Sequence, residues 1–336
     1  LCYHLVLTAI YILIFKDGAA DYKTYLSLST LKSFSLKYLI SADLINFIIN
    51  ILKTIFRLND FNIIFLFSLI SFFGIIIFLK NLIKLGVEKN IAYILFLLPG
   101  IHFWTCIPGK DCLILFFLSY FFYFYIEKKI NLSILFVLLV FLLRPHIGFI
   151  FLLSVIITEV FLVKGYKKFF LLIISLIFLY ALLNIEAAQH FFLSEKSISE
   201  NFLIQMLEQI KEYSNKYDAT DTVYQSSNIF FNMFNYILFP IEFIFKSNSL
   251  LVNISIMGEI ISLIMIIHLI ITQKKFYEIN KKLIYFLTIC IFIYLMIIPQ
   301  SLFNFGLNIR QKWMILPFVI YFSFLIKNLF VRIKKM

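Results

Sequence analysis

The chain has 336 residues, 62% of them hydrophobic and only 14% charged, with 43 Phe and a formal net charge of +12. A soluble domain is about 45–50% apolar and about 25% charged, so this composition excludes a soluble enzyme. The 9 Gly and 6 Pro exclude collagen-like and Pro/Gly-rich disordered classes. With a mean hydropathy of +0.97, the chain reads as an integral membrane protein. Its spanning segments are expected to be helices, because a backbone in lipid must satisfy its own hydrogen bonds.

The apolar runs predict spans at about 1–15, 61–79, 91–104, 112–126, 132–143, 147–163, 169–184, 249–271, 283–300 and 313–330. The expected fold is therefore all-α, a polytopic transmembrane helix bundle of about ten spans forming a single integral membrane domain over 1–336. The first run is shorter than the roughly 20 residues a span needs, and it reads as a truncated or processed start rather than a signal peptide. A first outer loop, 16–60, holds LISADLINFIINILKTIF at 39–56, which predicts an interfacial helix. Pro145 lacks an N–H and biases Arg144 away from helix, so the run from 132 to 163 is expected to break at Arg144-Pro145-His146. A large outer loop, 185–248, contains an amphipathic stretch around Phe202–Ile210 and the run Ile229 to Phe245, which reads as an interfacial or re-entrant helix.

Orientation follows from basic residues in the connections. Segments 80–90, 127–131, 164–168, 272–282 and 331–336 carry fifteen Lys and Arg against three acids, Glu88, Glu127 and Glu278. That asymmetry predicts a cytoplasmic face, including a cytoplasmic C-terminus, with anionic lipid headgroups rather than nucleic acid as neighbours. Cys106 and Cys112 fall on the opposite side; two packed free thiols are expected there, with a disulfide as the alternative. No Cys/His grouping has metal-ligand spacing, so no metal is expected.

The remaining polar residues collect at outer helix ends: Asp17 to Tyr25, His102 to Asp111, Arg144 to His146 and Asn304 to Trp313, joined by Glu259. Ionisable groups at membrane depth are costly unless paired or watered, so they default to a functional-site hypothesis. Arg144, His146, Lys110, Arg310 and Lys312 form a candidate cationic cluster suited to a phosphate or pyrophosphate, which Arg recognises through paired hydrogen bonds. Asp21, Asp111 and Glu259 supply carboxylates for general base work or for holding those cations. Each group has a structural alternative. Arg144 and Lys312 would snorkel to headgroups, Trp104 would join an interfacial belt, Lys110 and Asp111 would pair locally, and His102 and His146 would be packed histidines. No phosphate-binding Gly-rich loop, HExxH or GxSxG occurs.

Several segments resemble the bacterial oligosaccharide repeat unit polymerases, the O-antigen and exopolysaccharide polymerases of the multi-pass membrane type. They are DYKTY at 21–25, LPGIHFWTCIPGKDC at 98–112, LRPHIG at 143–148, ISIMGE at 254–259 and NIRQKWMILP at 308–317. The resemblance implies an enzyme using a polyprenyl-diphosphate-linked oligosaccharide at the outer face of the inner membrane, with no cofactor and no catalytic metal. It implies that Arg144 and Arg310 hold the pyrophosphate with Lys110, Lys312 and His146 assisting. Asp21 or Glu259 becomes the base, and Tyr25, His102, Trp104, Asp111 and Asn308 position the substrate. A chain-length regulator and a flippase are its candidate partners. Two other classes fit the same composition. One is a GT-C-type glycosyltransferase using a polyprenyl-phosphate sugar, with Asp21 or Asp17 as its first-loop acid. The other is a lipid-linked oligosaccharide flippase or transporter, which would carry polar residues through the bundle interior.

Overall fold

The computed structural model describes residues 1–14, 21–27, 41–163, 229–238, 281–300, 314–316 and 318–323, with isolated helical positions at 173, 260, 264, 267, 268, 271 and 312. All regular structure among the described residues is helical. In chain order the helices are α1 (Cys2–Ile14), α2 (Asp21–Ser27), α3 (Ser41–Thr54), α4 (Asp60–Lys84), α5 (Lys89–Phe96), α6 (Pro99–Thr105), α7 (Lys110–Ile126), α8 (Ile130–Leu143), α9 (Pro145–Leu162), α10 (Ile229–Leu238) and α11 (Lys281–Ile297). A 3-10 turn, Ile298–Gln300, extends α11, and Met314–Ser323 forms α12. Two of these, α4 and α9, are long and apolar enough to cross a bilayer; α1, α8 and α12 are shorter apolar helices.

The boundaries have local causes. Asn59 caps α4, its side chain accepting from Asn62 N–H at 2.8 Å, and Asp60 and Lys84 sit at the ends the helix dipole favours. Gly86 closes α4 at φ 86°, with Val87 N–H donating back to the Leu82 carbonyl, a left-handed C-terminal cap. The run expected as one span at 91–104 is two short helices. Pro99 opens α6, and the chain turns at Leu97 and Leu98 where a proline disfavours continuation. The break at Pro145 is present: Arg144 is extended at φ −141° between α8 and α9. The expected interfacial helix at 39–56 corresponds to α3, with Asp43 in its first turn and Lys53 in its last.

Two compact units are formed: Leu1–Phe149 with Ser249–Asn280 and Leu316–Met336, and Ile150–Asn248 with Lys281–Ile315. In the first, α4 and α7 run parallel. Cys112 lies by Phe67, Asn81 Nδ2 donates to the Ser119 carbonyl at 2.9 Å, and Lys84 pairs with Glu127 at their C-terminal ends. A Cβ on Gly74 would lie 2.9 Å from Phe116 Cα, so a small residue is what lets these helices approach. Helix α8 returns antiparallel along α7, with Phe136 stacked on Tyr120 and Phe124. Helix α1 runs antiparallel to α4 and packs on α6. Tyr321 of α12 stacks on Phe122 at 4.3 Å and donates to the Phe78 carbonyl at 3.2 Å. Loops 85–88 and 127–129 thus share one end of this unit, and Asp60, Lys110 and Arg144 share the other.

In the second unit, α10 packs on α11 and the 3-10 turn, with Tyr236 against Tyr294. Glu159 of α9 pairs with Lys282 of α11. Phe230 and Phe231 of α10 face outward. The expected spans at 169–184 and 249–271 and the amphipathic stretch around 202–210 lie outside the described residues, apart from the isolated helical positions given above.

Candidate functional site

Three chain segments meet at the end of the first unit that carries the α7 N-terminus. Lys110 and Asp111 open α7 after an extended Gly109, and Arg144 occupies the joint between α8 and α9. His146 lies in the first turn of α9. Arg144 Nη2 donates to Asp111 Oδ1 at 2.6 Å, and the arginine is 6% exposed. Arg144 is therefore not snorkelling to headgroups; its charge is held inside by a carboxylate 33 positions away. Its Nε is buried without a hydrogen-bond partner. The charges of Arg144 and Lys110 both act on the His146 ring. Lys110 Nζ donates to Ser41 Oγ at 3.2 Å. Ser41, at the start of α3, has φ 60°, a left-handed conformation that costs about 1–2 kcal/mol for a non-glycine residue.

The result is a buried guanidinium held by one carboxylate, with an ammonium bound to Ser41 and an imidazole on neighbouring residues. With Asp111 on Nη2, Nε remains as a donor that a second anion could take. Such an arrangement has the chemistry to hold a phosphate ester, and a shielded location strengthens charge–charge attraction.

The other expected site residues are distributed as follows. Asp21 begins α2, and Tyr25 is buried on the same helix. The C-terminal end of α2 is tied down by Lys53 of α3, which donates to the Leu26 carbonyl and pairs with Asp60 at 2.7 Å. Trp104 is half-buried at the end of α6, edge-on to Phe103 and Tyr11. Lys312 is helical, partly exposed and belongs to the second unit. Glu259, Asn308 and Arg310 lie outside the described residues. Cys106 and Cys112 are buried free thiols; their Sγ atoms lie by the Phe103 and Phe67 carbonyls at 3.2 and 3.0 Å.

His102 sits elsewhere, in a fully buried polar seam between α1, α4 and α6. Its Nε2 is 2.6 Å from the Phe96 carbonyl, and its Nδ1 is 2.8 Å from His4 Nδ1. His4 Nε2 lies 2.8 Å from Ser71 Oγ, and one turn further along α1 Thr8 contacts Ser68 at 3.1 Å. A carbonyl can only accept, so His102 must carry its proton on Nε2. With neutral rings, His102 Nδ1 then accepts from His4 Nδ1–H, and His4 Nε2 is left as an acceptor that shares the single Ser71 hydroxyl proton with the Ser68 carbonyl 3.0 Å from it. Both tautomers follow from one carbonyl. Sequence reasoning passed over His4, Ser68 and Ser71. The available signal was helical spacing: positions 4 and 8 on α1 and 68 and 71 on α4 each make a polar stripe on an apolar helix.

Removing either ring strands its partners. His4→Leu and His102→Leu are each expected to cost about 1–3 kcal/mol of stability. The double variant should cost clearly less than the sum of the two, because the shared bond is lost only once. Thermal unfolding of the detergent-solubilised protein measures this; strict additivity would mean that the rings are not coupled.

No protein-family model, curated protein or solved structure matches the chain.

Proposed function

We propose that the protein is a bacterial inner-membrane glycosyltransferase of the repeat unit polymerase type. It would have about ten spans, a cytoplasmic C-terminus and the Arg144 site on the outer face. The reading rests on one observation: Lys110, Asp111, Arg144 and His146 gather from separate elements at a single helix end. The substrate is a polyprenyl-diphosphate-linked oligosaccharide. An acceptor sugar hydroxyl attacks the anomeric carbon of the donor glycan. The bond from that carbon to the phosphate oxygen breaks, and polyprenyl diphosphate leaves. Arg144, with Lys110 and His146, stabilises the charge accumulating on the phosphate oxygens. Arg310 and Lys312 are the further cations proposed for it. Asp21 or Glu259 takes the hydroxyl proton, and Tyr25, Trp104 and Asn308 position the sugars. No metal or cofactor enters this scheme, and a flippase and a chain-length regulator are the proposed partners. The paired ends of α4 and α7 and of α9 and α11 suit this topology, since they bring basic connections to shared ends.

The test uses the purified full chain in nanodiscs with lipid-linked glycan extracted from cells lacking the protein. The expected products are a ladder of lengthened lipid-linked glycans and free polyprenyl diphosphate, formed without nucleotide sugar and in the presence of a chelator. No lengthening and no released carrier would remove the proposal; lengthening that requires a polyprenyl-monophosphate sugar would move the protein to the GT-C class. One observation favours a second reading, lipid-linked oligosaccharide transport: the His4–Ser71–His102 seam puts polar groups inside the bundle. Transport without elongation in the same nanodiscs would select it.

A further inference from the structure

A buried polar atom without a partner destabilises the fold, and in a folded chain each one needs a reason. Those in the elements around the Arg144 end of the first unit include Arg144 Nε, Asn46 Oδ1 and Asn50 Oδ1. The two asparagines are four residues apart on α3 and so share a face. That face is the inward one, because Ile45 and Ile49 beside them are fully buried and Asn50 is 5% exposed. Helix α3 packs against α7 and α8, the helices that deliver Lys110, Asp111 and Arg144. Its two ends are pinned there, Ser41 by Lys110 and Lys53 by Asp60, with both asparagines between the pins. Asn81 Oδ1 is also without a partner, but it lies toward the opposite end of α4, next to Ser119, and does not belong to this group.

Resting on the reading above, we propose that α3 forms a sugar subsite beside the diphosphate. Asn46 and Asn50 take hydroxyl groups of the sugar attached to the lipid diphosphate, while Arg144 Nε donates to its phosphate. These three groups are one cationic donor and two neutral acceptors. A phosphate oxygen fits the first and hydroxyl groups fit the others, and a glycosyl phosphate carries both within one residue. Swapping the O and N of either amide would leave a donor in place of an acceptor. A sugar hydroxyl, which both donates and accepts, serves either way. A bare diphosphate would leave both amides empty.

Binding is measured on the full chain in phosphatidylcholine nanodiscs with three probes: lipid-linked glycan from cells lacking the protein, polyprenyl diphosphate, and phosphatidylglycerol, whose headgroup also joins a phosphate to hydroxyls. The wild-type chain is expected to prefer the glycan lipid over polyprenyl diphosphate. Asn46→Leu with Asn50→Leu should weaken the glycan lipid about tenfold, equivalent to about 1.4 kcal/mol, and leave polyprenyl diphosphate within about twofold. The ligand-free melting temperature should hold or rise, since two unpartnered groups are removed. Wild-type glycan-lipid affinity in the double variant overturns the subsite. So does a melting temperature several degrees lower with both diphosphates weakened equally, which would make the amides core supports. Phosphatidylglycerol binding that is as tight as the glycan lipid's and is lost in the variant assigns the groups to a bilayer headgroup and also overturns it. Failure of wild type to bind either diphosphate sinks the proposed function itself, which separates the two failures.

Discussion

Under the proposed function, Arg144→Ala is expected to leave cells with single repeat units on the surface acceptor and no long polymer, a drop of about 100-fold or more in elongation. The guanidinium is a buried cation in the cluster, and a planar fork is not reproduced by an ammonium. The variant has a second effect: it strands Asp111, whose carboxylate is only 16% exposed. Breaking a buried pair by removing one partner costs about 3–5 kcal/mol. The double variant Arg144→Gln with Asp111→Asn removes both charges and keeps polar groups of similar shape. It should regain wild-type abundance in the membrane and still make no polymer. Arg144→Lys keeps the charge without the fork and should fall between. Gel profiles of surface polysaccharide beside immunoblots of the membrane fraction read all three. Long polymer from the double variant at normal abundance would remove Arg144 from the chemistry.

Gly148→Ala prevents α8 and α9 from meeting. A Cβ at that position would lie 2.3 Å from Phe141 Cα and 2.5 Å from its N, both backbone atoms that cannot swing aside. The helices have to separate at their joint, which is where Arg144 is held, so the Arg144–Asp111 bond goes as well. The expected loss is about 3 kcal/mol or more, the upper range for overpacking. Two other glycines calibrate the result. Gly74→Ala meets Phe116 Cα at 2.9 Å and should cost less. Gly109→Ala meets nothing within 4 Å on an extended backbone with φ 168° and should stay within about 0.5 kcal/mol. Melting temperatures of the three variants in one detergent should rank in that order; a Gly148→Ala protein as stable as Gly109→Ala would contradict the close crossing.

Much of the local structure was legible. Apolar runs longer than a turn of strand can only be helices here, and their ends fall within a few residues of α1, α4, α7, α8, α9 and α11. Pro145 announced the break at Arg144 because a missing N–H acts locally. The break inside 91–104 is also written in the sequence, at Pro99, but it is masked there by the apolar run around it. Lys110, Arg144 and His146 were recognisable as costly charges in an apolar chain, since desolvation depends on residue type and neighbours alone.

What composition and spacing determined by themselves is the helical class, most element boundaries and the short list of charged residues that need a partner. These follow from hydropathy, proline geometry and the free energy of burying charge, all local quantities. The tertiary structure alone decided who the partners are: Asp111 with Arg144, Lys110 with Ser41, and His102 with His4. Pairing depends on which helix faces touch, and helix register is set by close-packed contacts such as Gly148 on Phe141 and Gly74 on Phe116, which no single stretch of sequence contains.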